Sequence, residues 1–340
     1  MDFSKFRQTG DLSDLMVEVN GTTFKLHKFP LYARSEYFCK LARGHDVGKI
    51  ELSDFPGGPD TFSLVADFCY NMPVDMSKTN VVQIRCAAEF LKMGGAGNLI
   101  ETSDKFLKDT ITSSKMSRAT PCIASLLLSC STIGHLANEC GVVGQCFDAL
   151  IDCWLKPPTK FSSPTNIMKQ MDRREDKTVV ALLSLPLDWF VNMLVTAREK
   201  GVRVSLLAEL ATSYISIAVE REEADEKQAR DKSADAGDTI SSATPLSASL
   251  NSNGGKSGKK PVDISTVLDN IILELPEESL FDDVVTIDWL TKVIRIATAN
   301  CCQCRRVLVK SAGEMLTKLS AEDLCIISPS LLHDIVGRVL

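Results

Sequence analysis

Apolar and polar positions change period partway along the chain. Near the start, Leu15, Val17 and Val19 alternate with Met16, Glu18 and Asn20, and a second alternation runs from Thr22 to Leu26. Asn20-Gly21 lies between the two runs, and both residues tolerate the positive φ of a tight two-residue turn, so a hairpin is predicted. One helix is expected through Leu31, Arg34, Tyr37, Phe38 and Leu41, then a short strand at Ile50 to Leu52 and a turn at Phe55-Pro56-Gly57-Gly58-Pro59. Asp60 or Thr61 is expected to cap the next helix, which would bury Phe62, Val65, Ala66 and Cys69. Ile84, Ala87, Ala88 and Leu91 fall at i, i+3, i+4 and i+7, a further helical stripe.

From about Leu107 onward the period is helical. Leu187, Phe190, Val191 and Leu194 form a stripe that should stop at Lys200-Gly201, since glycine accepts the left-handed conformation that ends helices. Leu207, Leu210, Ala211 and Tyr214 form the next. Ile264, Val267, Leu268, Ile271, Ile272 and Leu275 form another, ended by Pro276. Ser320 with Asp323 resembles a capping box opening a further short helix. The chain is thus read as an α+β N-terminal domain followed by an all-α part.

Composition adds an interruption. Glu222 to Val262 has no aromatic residue and is dominated by Ser, Ala, Asp, Gly and Lys, so it buries too little apolar area to offset its ordering entropy and is expected to be a disordered, flexible insertion. The expected division is 1–108, 109–221, the linker 222–262, and 263–340. Over 340 residues, 38 basic and 44 acidic side chains give a net charge of −6, with no chain-wide basic field to favour nucleic acid. The opening Met1-Asp2-Phe3-Ser4-Lys5-Phe6-Arg7 lacks the apolar run of a secretory signal, and the most apolar short stretch, Cys122 to Cys130, is well below the ~18 residues of a membrane-spanning helix. A cytoplasmic protein is expected, and the twelve cysteines, scattered through apolar segments, are expected to be free thiols.

The residues show no catalytic constellation. The histidines His27, His45, His135 and His333 show no metal-ligand spacing. Cys301-Cys302-x-Cys304 is a single crowded triplet within a predicted helical region, favouring packing with an exposed thiol over a metal site. Gly94-Gly95-Ala96-Gly97 follows a helix and lacks Gly-Lys-Ser/Thr, so it reads as a helix end and turn. Cys39 with His27 has no accompanying oxyanion site. No catalytic, cofactor-binding or metal residue is assigned, and no enzyme is expected. His27 instead marks a strand-to-helix junction, where an imidazole can bond backbone groups left unpaired.

Several motifs carry a resemblance. Asp14-Leu15-Met16-Val17-Glu18-Val19-Asn20-Gly21, then Phe24-x-Leu26-His27-Lys28, Leu31, Ser35, Tyr37 and Phe38, resembles a BTB/POZ domain. Ile50-Glu51-Leu52-x-Asp54-Phe55-Pro56-Gly57-Gly58, Phe68-Cys69-Tyr70, Arg85-Cys86-Ala87-Ala88-Glu89-Phe90-Leu91-x-Met93 and Gly97-Asn98-Leu99 are similar to the plant non-phototropic hypocotyl 3 family. The likeness continues more weakly through Lys200-Gly201-Val202, Leu206 to Tyr214, Leu275-Pro276, Cys304-Arg305 and Ile327-x-Pro329-Ser330. Two departures stand out: no tryptophan pair precedes the Leu187 helix, and Leu340 falls before the family's later helical portion, tyrosine-containing motif and coiled-coil tail.

The resemblance implies a substrate-specific adaptor of a cullin-3 ubiquitin ligase. Its BTB domain would dimerise, with itself or a family member, and dock cullin-3, while the helical part recruits a target such as a photoreceptor kinase in phototropic signalling. It also implies peripheral placement at the plasma membrane through partners. A non-catalytic signalling scaffold without a ligase role is the alternative. Many cullin-binding BTB domains carry an apolar-x-Glu triplet after the helix ending here near Leu41, and Arg43 to Lys49 contains none. Phe3 and Phe6, ahead of Leu12 and Leu15, are the expected contributors to a homo-association seam.

Overall fold

A computed structural model describes residues 4–42, 48–155, 177–234, 263–276, 280, 285–316, 327 and 329–339. The chain divides into two compact units, Met1–Pro186 and Leu187–Leu340.

The first unit opens with α1 (Ser4–Thr9) and the expected hairpin, β1 (Leu15–Val19) and β2 (Thr22–Leu26), paired antiparallel with Leu15 opposite Leu26 and Val19 opposite Thr22. Asn20 and Gly21 both take positive φ, 46° and 82°, as a hairpin turn matched to strand twist requires. Strand β3 (Lys49–Leu52) pairs parallel to β1, giving the order β2-β1-β3. Leu15, Val17, Val19, Ile50 and Leu52 face the core. The period of two decides this, because it places Leu15 on the same face as Val17.

The single helix expected after the hairpin is two helices, α2 (Lys28–Arg34) and α3 (Glu36–Ala42), broken at an extended Ser35 (φ −125°, ψ 120°). The break is made elsewhere in the chain. Buried Ser35 donates its hydroxyl to the Leu91 carbonyl at 2.7 Å, and the amides of Glu36 and Tyr37 bond Lys92 and Leu91 carbonyls.

Helix α4 (Gly58–Cys69) starts before the caps expected at Asp60 and Thr61, which lie within its first turn. The start is fixed by Gly57 at φ 75°, where a Cβ would come within 2.1 Å of Thr61 Oγ1 and 2.8 Å of Gln83 Cβ, so only glycine fits. Helix α4 buries Phe62, Val65, Ala66 and Cys69, and α5 (Val81–Phe90) buries Ile84, Ala87 and Ala88, as their stripes predicted. Phe55 meets Phe62 and Phe90 edge-on, with centroids 5.3 and 5.5 Å apart.

Beyond α5 the glycine-rich stretch is a turn. Asn98 caps α6 (Leu99–Met116) through the Leu99 amide, and the boundary expected at 108 falls inside this helix. Helices α7 (Thr120–Ile133), α8 (His135–Glu139), α9 (Val142–Leu155) and α10 (Lys177–Leu183) complete the unit, with α7 packed on α9 and α10.

The second unit is helical throughout its described residues: α11 (Leu187–Glu199), α12 (Val204–Ala234), α13 (Ile264–Ile272), α14 (Ile287–Ala299), α15 (Arg305–Met315) and α16 (Pro329–Val339). Phe190 stacks on Tyr214 at 4.1 Å, joining α11 to α12, and Trp289 Nε1 donates to Ser216 Oγ at 2.9 Å, joining α14 to α12. Helix α12 continues past Glu222, where the insertion was expected to begin, to Ala234. The Glu, Lys, Arg and Ala between these positions are strong helix formers, and they carry the helix after its apolar stripe has ended. The rest of the expected insertion, 235–262, lies outside the described residues, as do Ser320 and Asp323.

Candidate protein-interaction surface

The N-terminal segment is fastened to the BTB-like core by polar joints, and those joints display apolar side chains outward. Helix α1 is held by Arg7, whose Nη2 donates to Ser63 Oγ at 2.9 Å. Its Nε lies 2.9 Å from Asp67 Oδ1, an ion pair not aligned as a hydrogen bond.

His27 takes the junction role expected of it. Its amide donates to Tyr70 Oη at 2.8 Å, its Nδ1 lies 2.8 Å from the same oxygen, and its Nε2 lies 2.8 Å from the Asp11 carbonyl. The next amide, Lys28 N–H, donates to Asp14 Oδ1 at 2.8 Å. Burial pushes the Tyr70 phenol above its ordinary pKa, while the bond from the His27 backbone pulls it down. The phenol therefore stays protonated and available to this joint.

Between these anchors, Leu12 sits at φ 60° with 84% of its surface exposed. Left-handed backbone costs a residue with a Cβ about 1–2 kcal/mol. Leu12 gains no core packing in return, since the turn around it is closed by backbone bonds from Gly10 to Phe6 and from Asp14 to Leu26. A pinned, strained and exposed leucine has the character of a contact residue. Phe6 is 36% exposed with its ring edge-on to His27, Met16 points off the outer sheet face, and Phe29 is 69% exposed at the start of α2. Of the two seam residues expected, Phe6 is exposed and Phe3 lies outside the described residues. Leu12, Met16 and Phe29 were missed. Strand alternation would have found Met16, but Phe29 carries no periodic signal.

The stretch after α3 lies largely outside the described residues, which resume at Gly48. Lys49 is paired on the sheet surface. Its Nζ bridges Glu18 Oε2 at 2.7 Å across the parallel strand pair, and that bond raises its pKa.

In the second unit the cysteine triplet forms the turn between α14 and α15, not part of a helix as expected. Cys301 is exposed, whereas Cys302 and Cys304 are buried. Donor atoms of Cys302, Cys304 and Asp269 lie within 4.8 Å of one another, the spacing of a candidate metal site. Both Asp269 oxygens are already engaged, however, by the Cys304 amide at 2.8 Å and the Gln303 amide at 3.1 Å. Burial, with the Asp269 carboxylate beside them, raises the pKa of both thiols, and through its two amide bonds Asp269 acts as a carboxylate cap at the start of α15.

No helix among the described residues is long and apolar enough to cross a membrane. The architecture defines a protein-interaction module: a small three-stranded sheet wrapped by helices, with a displayed apolar N-terminal face. A BTB/POZ domain model matches residues 3–109, and an NPH3 family model matches residues 176–337. The chain thus carries a BTB/POZ domain followed by an NPH3 family region.

Root phototropism protein 2 of Arabidopsis thaliana is 28% identical over 331 residues, covering 95% of this chain and 50% of its own. BTB/POZ domain-containing protein DOT3 of Arabidopsis thaliana is 30% identical over 209 residues, covering 59% of this chain and 33% of its own. Another Arabidopsis thaliana BTB/POZ domain-containing protein is 36% identical over 167 residues, covering 47% of this chain and 24% of its own. The chain thus spans at most about half the length of these relatives.

Proposed function

We propose that this chain is a non-catalytic, substrate-specific adaptor of a cullin-3 ubiquitin ligase, active in signalling of the phototropic kind and working in the cytoplasm or at the membrane through partners. The observation that carries the reading is the succession of a BTB/POZ domain and an NPH3 region in one chain. One module suits scaffold docking and homo-association, and the other suits target recruitment. The displayed Phe6, Leu12 and Met16 support homo-association, since apolar side chains held outward on a rigid turn lose little entropy on binding. The relative named Root phototropism protein 2 supports the signalling context. In this reading 1–108 is the docking and dimerisation domain, and the helices after it present the target-binding surface.

The test is a pull-down of purified cullin-3 by the purified chain, run beside light scattering. A defined complex with a dimeric chain is expected. A dimeric chain that retains no cullin-3 would reject the ligase role and leave the second reading, a signalling scaffold assembled through its BTB domain. The absence of an apolar-x-Glu triplet between Arg43 and Lys49 is what keeps that second reading in view.

A further inference from the structure

The second unit brings three metal-ligating side chains together from two places in the chain. Cys302 and Cys304 stand on the turn between α14 and α15, and Asp269 reaches them from α13, 35 residues before Cys304. The donor atoms of all three lie within 4.8 Å of one another. Cys302 is 7% exposed and Cys304 is fully buried, whereas Asp269 is half-buried, so solvent reaches the cluster from the carboxylate side.

Each ligand is held in place by the backbone around it. The Cys302 amide donates to the Ala297 carbonyl at 2.9 Å, and the Arg305 amide to the Cys302 carbonyl at 3.4 Å, which fixes the turn. The Gln303 and Cys304 amides hold the Asp269 carboxylate at 3.1 and 2.8 Å. These amides engage one lone pair on each carboxylate oxygen, and each oxygen keeps another. Capping and ligation are therefore compatible, and the amides orient the carboxylate as outer-shell donors orient the ligands of a metal.

We infer that Cys302, Cys304 and Asp269 bind one thiophilic divalent cation of the zinc class, with water completing a tetrahedral shell. The inference does not rest on the adaptor reading. The donor set selects the ion, since two sulfurs favour zinc-like cations over magnesium and calcium, and zinc accepts a carboxylate as a third ligand. Sulfurs about 2.3 Å from a tetrahedral ion stand about 3.8 Å apart, so small side-chain rotations suffice to close the cluster on it. On binding, two S–H bonds break, two metal–sulfur bonds form, and two protons leave to solvent. Burial, and after it the Asp269 carboxylate, keeps both thiols protonated in the metal-free chain, and the same carboxylate draws a cation in. The bound ion adds a clamp to the amide bonds that already tie α13 to the turn.

The test uses the full chain, reduced and stripped of metal, titrated with cobalt(II) as a spectroscopic stand-in for zinc. One cobalt per chain is expected, with thiolate-to-cobalt charge-transfer absorption and the visible bands of a tetrahedral ion. Added zinc should remove both signals, and excess magnesium should leave them unchanged. Cys304→Ser should lose the absorption, and Cys301→Ser should bind cobalt as the unmutated chain does. Asp269→Asn, which retains every thiol, should weaken cobalt binding by about tenfold or more, a loss that even outer-shell changes produce. An unmutated chain that takes up no cobalt would overturn the inference, as would absorption that survives in Cys304→Ser. Should circular dichroism show Cys304→Ser unfolded, Asp269→Asn decides, and unchanged cobalt affinity in that variant would overturn the inference.

Discussion

In the first unit, segments far apart in sequence are locked by single polar groups. His27 joins Tyr70 and Asp11, Ser35 holds the Leu91 carbonyl, and Asn98 Nδ2 donates to the carbonyls of Arg34 at 3.0 Å and Gly94 at 2.8 Å. The second unit relies more on apolar stripes and on how each helix ends. Helix α13 buries Ile264, Val267, Leu268, Ile271 and Ile272 along one face. Helix α11 closes with the Gly201 amide on the Arg198 carbonyl and the Val202 amide on that of Ala197. The Cys301 and Cys302 amides repeat that pattern on Thr298 and Ala297 at the end of α14. Mixed sheet-and-helix topology needs specific long-range bonds to fix where chain segments meet, whereas helix-on-helix packing is fixed by repeated apolar contact and local capping.

The contrast can be broken by substitution. Leu268→Ala should cost the second unit about 2–5 kcal/mol, because it empties a fully buried position in the stripe. Urea unfolding should show this as a shift in one transition. A cost below 1 kcal/mol would mean the stripe is not what holds the unit. His27→Ala should cost the first unit about 1–3 kcal/mol by stripping partners from Tyr70 and the Asp11 carbonyl. Partner binding should then fall only with the unfolded fraction, and lost binding at unchanged stability would make His27 an interface residue instead.

Asp269→Asn sharpens the comparison at a local cap, with an expected cost of about 0.5–2 kcal/mol at neutral pH. Burial opposes the charge of Asp269, yet the Cys304 amide, the Cys304 side chain and the Gln303 amide outweigh it and lower the pKa. A lowered folded-state pKa gives stability that is present above the unfolded value and lost as pH falls through the folded one. The gap between wild type and Asp269→Asn in thermal melts should therefore close on acidification. A gap that widens at low pH would contradict the cap. Cys301→Gly should give the smallest effect, a gain of about 0.5–1 kcal/mol, since Cys301 occupies φ 55° where glycine is unstrained. An equal or lower melting temperature would show that its side chain contributes more than the backbone loses.

The same positions explain what could be read in the sequence. The hairpin, the α4 and α5 stripes and the α13 stripe as far as Ile272 were legible because period and turn chemistry are local properties, but α13 stops short of the Leu275 and Pro276 expected to end it. The break at Ser35 was not, because the carbonyls that impose it belong to Leu91 and Lys92 at the other end of the domain. Helix ends were legible only where glycine marks them. Gly201 was found, but Asn71, Lys92, Arg118 and Cys301 take the same left-handed role at φ 57°, 54°, 53° and 55°. Asparagine tolerates that region by itself, whereas the bonds of their neighbours, not their own preference, place the other three there. At the interaction surface, apolar residues ahead of the hairpin pointed to Phe6, and Leu12 was missed. Arg7 was unreadable, since its partners Ser63 and Asp67 lie on α4.

The His27 joint also assigns a proton. A backbone carbonyl can only accept, so the imidazole must carry a hydrogen on Nε2 to bond Asp11, which in the neutral ring leaves a lone pair on Nδ1. The Tyr70 hydroxyl then points its hydrogen at Nδ1 while its oxygen receives the His27 amide, and every donor in the ring of bonds has one acceptor. The junction is thus a directional relay with a single tautomer. Nitrogen-15 NMR of His27 should find an Nε2–H imidazole whose ring does not flip while the domain is folded.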